Sequence, residues 1–178
     1  MLHQDRLKGQ HVRLRALGQA DLPDLMRWEN DPMAWSSSKT INPLSPDFIQ
    51  SYITSSTQHI LETGCMGLVI ELIDTPATAV GHLMLYDYSA IHRRLALGLY
   101  IAPEYRGRGY AREALSCAIA YAFEQLRCEQ VYAEILSDNV HSRQLVKDLG
   151  FVETARLPRW HWDTRTYQDL FYYQKWNE

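Results

Sequence analysis

The chain has 178 residues, a formal net charge of −3, and apolar and charged fractions of 46% and 22%. Its length suits one domain over residues 1–178 with a core of its own, and its composition is that of an ordinary globular protein. The acidic balance argues against nucleic acid as the main partner, because phosphate binding needs a basic surface.

Arg106, Arg108 and Arg112 nevertheless cluster, a pattern that fits one small anion. Cys65, Cys117 and Cys128 are odd in number and have no C-x-x-C spacing, which points to a reducing compartment rather than a disulfide framework or zinc site. The first residues carry no apolar leader, and no apolar run approaches the ~18 residues of a membrane span. A cytoplasmic location without membrane attachment is therefore expected.

Residues 11–17 alternate Val12, Leu14 and Ala16 with Arg13 and Arg15, as a half-exposed strand does. Asp21 reads as the N-cap of a short helix reaching Asn30, with Leu22, Leu25 and Met26 on one face. The Pro- and Ser-rich stretch 31–45 is expected to be a loop. A second helix starts at Ser45-Pro46 and carries Phe48, Ile49, Tyr52 and Ile53 as its apolar stripe. Strands follow at 65–73 and 79–88, joined by the turn Asp74-Thr75-Pro76.

A third strand, 93–102, contains Gly98, which suggests a bulge or a close backbone approach. The spacing of Leu115, Ile119, Ala122 and Leu126 predicts a long helix over 109–127. Val131, Ala133 and Ile135 then alternate as a strand. Asn139 caps a helix that ends at Gly150. Phe151–Leu157 and Gln168–Trp176 read as two final strands, with an Arg- and Trp-rich connection between them. The order predicts an α+β fold: a mixed, mostly antiparallel sheet with one central βαβ unit and hence one parallel strand pair.

Gly107 and Gly109 fall between the third strand and the long helix. Glycines there let the backbone turn tightly and aim several N–H groups at one point, where the helix dipole favours a diphosphate. Arg106 and Arg108 can add charge-assisted hydrogen bonds. The Walker spacing is absent, and G-x-G-x-x-G fails because Arg112 stands at its last glycine.

The run Leu99–Ala111, with Arg106, Gly109 and Ala111 in register, resembles the acetyl-CoA signature Q/R-x-x-G-x-G/A of the GNAT superfamily of N-acetyltransferases. Asn139, Ser142, Leu149, Gly150 and Phe151 resemble that family's N-x-x-[AS]…L-G-F segment. Leu14–Asn30 (L-R-A-L…D-L…W-E-N) is similar to the branch holding ribosomal-protein N-terminal and spermidine acetyltransferases.

The resemblance implies acetyl transfer from acetyl-CoA to a primary amine, directly in a ternary complex and without a metal. It implies that the backbone of Leu99, Tyr100 and Ile101 pairs with the pantetheine arm where two central parallel strands splay. The N–H groups of Arg106, Gly107, Arg108, Gly109, Tyr110 and Ala111 are then expected to hold the pyrophosphate. Asn139 is expected to bond the pantetheine, to cap its helix, or both.

Two positions depart from the family. Val146 replaces a tyrosine that protonates the thiolate in many members. The resemblance to the ribosomal-protein branch, where a serine at the place of Ser142 is a proposed substitute, makes Ser142 the candidate acid, or else a small residue that lets the helix pack close to the cofactor. Ala96 replaces an acidic residue found two positions before the strand glycine in many relatives. Glu134 can serve as base only through water, and no base is assigned. The two departures keep alive an alternative, a non-catalytic domain that binds acyl-CoA as a sensor or interaction module. His82, His92, His141 and His161 lack metal-ligand spacing, and His141 either lines the site or lies on the surface.

Acceptor-binding residues are expected in the first two helices, their loop and the 158–167 connection. Trp28, Glu29, Trp35 and Trp160 combine aromatic faces with negative charge, which suits a cationic amine. A polyamine, a protein N-terminus and an amino sugar all fit. A homodimer paired through strand 167–176 is possible, although a place inside the sheet is the plainer account.

Overall fold

The computed structural model describes residues 6–31, 42–56, 58–162 and 165–177. Most of the expected 31–45 loop, Trp35 with it, lies outside the described residues. Seven strands form one sheet in the order β1-β2-β3-β4-β5-β7-β6. The strands are β1 Val12–Ala16, β2 Met66–Leu72, β3 Ala79–Ser89, β4 Arg94–Ile101, β5 Gln130–Leu136, β6 Val152–Trp162 and β7 Tyr167–Trp176. All neighbours are antiparallel except β4 and β5, the pair joined by the βαβ crossover. The α+β expectation therefore holds.

The helices are α1 Leu22–Glu29, α2 Pro46–Ser56, α3 Ile60–Thr63, α4 Tyr110–Glu124 and α5 Val140–Asp148. Among the described residues no helix is long and apolar enough to cross a membrane.

Each face of the sheet is covered, so β2 is buried through Gly67–Glu71 instead of alternating. Its Leu68 and Ile70 join the cluster beneath α4, whereas Val69 faces the cluster of Leu25, Trp28, Ile49 and Ile53 under α1 and α2. Strand periodicity sends successive side chains to opposite faces, and both are apolar here. On α4 the buried stripe is Ala114, Leu115, Ala118, Ile119 and Ala122. Its three alanines let the helix lie close on β1 and β4.

Several expectations need correction. Asp21 precedes α1 but makes no capping bond; its carboxylate turns back to Arg15 at 2.7 and 2.9 Å and to the Gly18 N–H. The apolar stripe of α2 is Ile49, Tyr52 and Ile53, because Phe48 is 58% exposed. Gly98 is no bulge: it pairs in regular register with Met84, and the irregularity of this strand pair lies between Tyr86 and Ser89. The connection after Leu157 is largely strand, because β6 continues to Trp162 past a register shift between Leu157 and His161. Strand β7 lies between β5 and β6, so β6 and not β7 is the sheet edge.

Candidate functional site

Strands β4 and β5 pair over three positions only, Arg94 with Gln130, Leu95 with Val131 and Ala96 with Tyr132. Beyond Ala96 they diverge, and β4 loses a strand partner on its β5 side. The gap opens into a cavity of about 720 Å³, walled by Leu97–Tyr100 of β4 and Ala133–Leu136 of β5. Asn139, Ser142, Leu145 and Val146 of α5 close one end. His82 and Met84 of β3, Trp28 and Glu29 of α1 and Trp160 of β6 line the rest.

Of the strand residues expected to meet a pantetheine arm, Leu99 and Tyr100 line this cavity. Ile101 does not: it is buried in the core beneath α4, and its carbonyl accepts a hydrogen bond from Arg106 Nε at 2.9 Å.

The segment between β4 and α4 turns through a short 3-10 turn at Pro103–Tyr105 and then through Gly107 (φ 75°) and Gly109 (φ 83°). Both glycines occupy the left-handed region, which side-chain-bearing residues avoid. A Cβ at either would meet nothing within 4 Å, so their role is conformational and the turn faces open space. Gly109 is the N-cap of α4 and supplies no side-chain acceptor. The N–H groups of Tyr110, Ala111 and Arg112 therefore start the helix without an intrahelical partner, leaving an end whose dipole favours negative charge.

Arg106 behaves otherwise than expected. Its N–H is bonded to the Pro103 carbonyl at 3.3 Å, and its guanidinium stands over the Tyr100 ring at 5.8 Å. Arg108 donates to the Glu104 carbonyl and covers the Tyr105 ring. Both arginines brace the turn.

On α5 the Asn139 Oδ1 accepts the Ser142 N–H at 3.1 Å, so the capping role is real and fixes the first turn beside the cavity. Ser142 is the hydroxyl that α5 contributes to the wall, and Val146, one turn on, is buried beside it. His141 is exposed and lies off the cavity. Burial, and then the Glu134 charge, push the Tyr86 phenol up to about 12, and burial followed by the Asp31 charge raises Tyr100. Both lining tyrosines are thus protonated at neutral pH.

None of the three cysteines lines the cavity. Burial raises Cys117 and pushes Cys128 up to about 11, so neither offers a thiolate. Among the described residues no three His, Cys, Asp or Glu side chains are grouped as metal ligands.

The cavity wall also holds a cluster that local sequence patterns do not reveal. His82 lies opposite Tyr100 in the β3–β4 register. Its ring is stacked on Trp28 (centroids 6.0 Å, 13° between planes) and on Tyr100 (5.7 Å, 28°). His82 Nε2 is 3.2 Å from Glu29 Oε1. The Tyr100 hydroxyl donates to Asp31 Oδ2 at 3.5 Å. Trp28 is 2% exposed, and its Nε1–H has no hydrogen-bond partner among the described residues. Trp28, Glu29 and Trp160 thus line one cavity. His82 joins them through strand register, for which no short motif is a signal.

Comparison with known proteins agrees with this geometry. The family model for the acetyltransferase (GNAT) domain matches residues 11–152. The chain is 29% identical over 113 residues to spermidine N(1)-acetyltransferase of Vibrio cholerae, covering 64% of each protein. It is 29% identical over 93 residues to a putative ribosomal N-acetyltransferase of Bacillus subtilis, covering 52% of this chain and 51% of that protein. These alignments span between about half and just under two-thirds of the curated relatives' length.

Structural similarity extends further. A crystal structure of the Vibrio cholerae spermidine N-acetyltransferase in complex with CoA and spermine superposes with a TM-score of 0.84 at 25% identity, covering 93% of this chain and 95% of that one. A dodecameric structure of the Vibrio enzyme matches with a TM-score of 0.78 at 26% identity, covering 93% of each chain. With the fold, the splayed strand pair and the glycine turn in place, the chain belongs to the GNAT family of acetyltransferases.

Proposed function

We propose that this chain transfers the acetyl group of acetyl-CoA to a primary amine, with a polyamine as the favoured acceptor. The observation that carries the reading is the splay of β4 from β5 into a cavity, on the strand whose end turns directly into the uncapped start of α4. The diphosphate of CoA lies at the N–H groups of Tyr110, Ala111 and Arg112, with Gly107 and Gly109 setting the turn and Arg106 and Arg108 bracing it. The pantetheine arm runs along the unpaired edge of β4 at Leu99 and Tyr100, and a backbone N–H of that edge meets the developing oxyanion. Asn139 fixes α5 so that the Ser142 hydroxyl faces the leaving sulfur and gives it a proton.

A cysteine relay is disfavoured by the raised thiols outside the cavity, so the amine attacks the thioester directly. The acceptor enters among Trp28, Trp160 and Tyr100, whose ring faces attract a cation, with Glu29 adding negative charge. Trp35 belongs to the same proposed surface by sequence, though it lies outside the described residues. The Vibrio relative crystallised with spermine supports a polyamine over the other amines.

Self-association is proposed on separate grounds: β6 is an open edge bearing exposed Val152, Trp160 and Trp162, and the Vibrio enzyme has a dodecameric form. Sedimentation at micromolar concentration should give a species larger than the 20.7 kDa chain, and a strict monomer excludes it.

The test of function is CoA thiol release from acetyl-CoA with polyamines, peptide N-termini and amino sugars offered in turn. Turnover highest with spermidine or spermine is expected. Turnover with peptides alone moves the acceptor to protein N-termini, and tight acetyl-CoA binding with no turnover leaves only a binding module.

A further inference from the structure

The acetyl-transfer reading leaves one role unfilled. The acceptor nitrogen must shed a proton as it forms its bond to the thioester carbon, and the position where many relatives carry an acid holds Ala96, which is fully buried and off the cavity. We infer that His82, oriented by the Glu29 carboxylate, is the group that takes this proton. The inference rests on the proposed acetyl transfer and names the residue that completes it.

The titratable side chains on the cavity wall are few. Tyr86 and Tyr100 are held protonated. Glu134 is hydrogen-bonded to Tyr172 of β7 and shares a second depression with Asp87, Arg94 and Tyr132. His161 sits on the edge strand beside the exposed Trp160. His82 differs from all of these in combining two ring contacts with a carboxylate at one ring nitrogen.

Trp28 and Tyr100 pack against its ring from adjacent directions, their own centroids 5.9 Å apart, and Glu29 meets Nε2 at 3.2 Å. Its backbone is fixed as well. At the neighbouring Gly81 the β3 and β4 chains run so close that an added Cβ would stand 2.1 Å from the Tyr100 carbonyl oxygen. A carboxylate at Nε2 favours the tautomer with its proton there, which leaves the lone pair on Nδ1. The imidazolium formed on proton uptake is then stabilised by the same carboxylate, as in other carboxylate-histidine pairs.

The other charges around the ring belong to adjoining elements. Asp31 lies behind the Tyr100 hydroxyl, Arg106 lies over the Tyr100 ring, and Tyr52 of α2 feels the Glu29 charge.

The step balances without a further reactant. The neutral amine attacks the carbonyl carbon, the C–N bond forms and the C–S bond breaks, and the electron pair leaves with sulfur. The nitrogen's proton passes to His82 Nδ1, and the thiolate takes a proton from solvent, directly or through the Ser142 hydroxyl, which solvent reprotonates. The products are the amide and CoA thiol, and His82 returns its proton to solvent. Glu29 is a positioning residue in this scheme.

The experiment compares wild type with His82→Gln, Glu29→Gln and Glu134→Gln, using acetyl-CoA and spermidine, with kcat followed from mildly acidic to alkaline pH. Calorimetric acetyl-CoA affinity, expected within threefold of wild type for each variant, reports intact folding. His82→Gln should lower kcat by about 100-fold or more and abolish the acid limb of its pH profile. Glu29→Gln should lower kcat while keeping that limb and the acetyl-CoA affinity, because the ring loses the acceptor that holds its Nε2 proton. A merely structural role would leave the limb in place in His82→Gln and would lower acetyl-CoA affinity along with kcat in Glu29→Gln.

The inference is overturned if His82→Gln retains kcat within threefold with its acid limb unchanged, or if Glu134→Gln alone removes the limb. Failure of wild type itself to release CoA with any amine would instead overturn the acetyl-transfer reading.

Discussion

Arg15 shows how a single side chain shapes this fold. Asp21 and Glu71 are the buried charged residues among those described, at 3% and 2% exposure, and the Arg15 guanidinium bonds both. Burial works against the Glu71 carboxylate, but the bonds from Arg15 and Arg13 prevail and hold it below its ordinary range. A carboxyl depressed in the folded state contributes stability that is complete above its unfolded value of about 4.3 and is lost as pH falls through the folded value. Glu71→Gln should therefore flatten the loss of stability on acidification, measured by urea unfolding at a series of acid pH values. Arg15→Ala leaves Asp21 without its guanidinium and Glu71 with Arg13 alone, and should cost about 3–5 kcal/mol in the same assay at neutral pH. Nearer the chemistry, Ser142→Ala removes the α5 hydroxyl while leaving the Asn139 cap, which uses the Ser142 backbone, in place. A fall in kcat of about tenfold or more at unchanged acetyl-CoA affinity is expected, and full kcat at every pH would remove serine from proton transfer.

At the scale of elements, the turn into α4 gives the sharpest prediction. Gly109 has a φ of 83° with open space where a Cβ would go, so Gly109→Ala introduces strain without a clash. The cost is about 1–2 kcal/mol, and if the turn relaxes to relieve it the N–H groups of Tyr110 to Arg112 lose their common aim. Acetyl-CoA affinity should fall about tenfold by calorimetry, and an unchanged affinity would take the diphosphate away from this turn. This turn and the Asn139 cap were legible in the sequence because each is local, set by a few adjacent residues whose types dictate the backbone. The end of the chain was less so. Pro158 with its Arg and Trp neighbours reads as a connection, yet β6 carries Pro158 as an edge strand, where a missing N–H costs no ladder bond on the solvent side. Phe48 shows the opposite error: an apolar residue at helical spacing that the fold leaves in solvent, since periodicity cannot say how wide the buried stripe is.

For the whole molecule, the site is a product of topology. The cavity draws on α1, β3, β4, β5, α5 and β6, and it exists because the one parallel pair in an otherwise antiparallel sheet separates after three residues. A βαβ pattern in the sequence foretells the parallel pair but not where it parts. The cluster of Trp28, Glu29, His82 and Tyr100 escaped the sequence for the same reason: its members are 18 or more positions apart apart from the first two, and only strand register brings them together. The central claim is that acetyl passes directly from CoA to an amine inside this cavity. Initial rates of CoA release, with acetyl-CoA and spermidine both varied, test it most directly. Direct transfer gives intersecting double-reciprocal lines, the signature of both substrates bound together. Parallel lines, or release that does not depend on the amine, would contradict it.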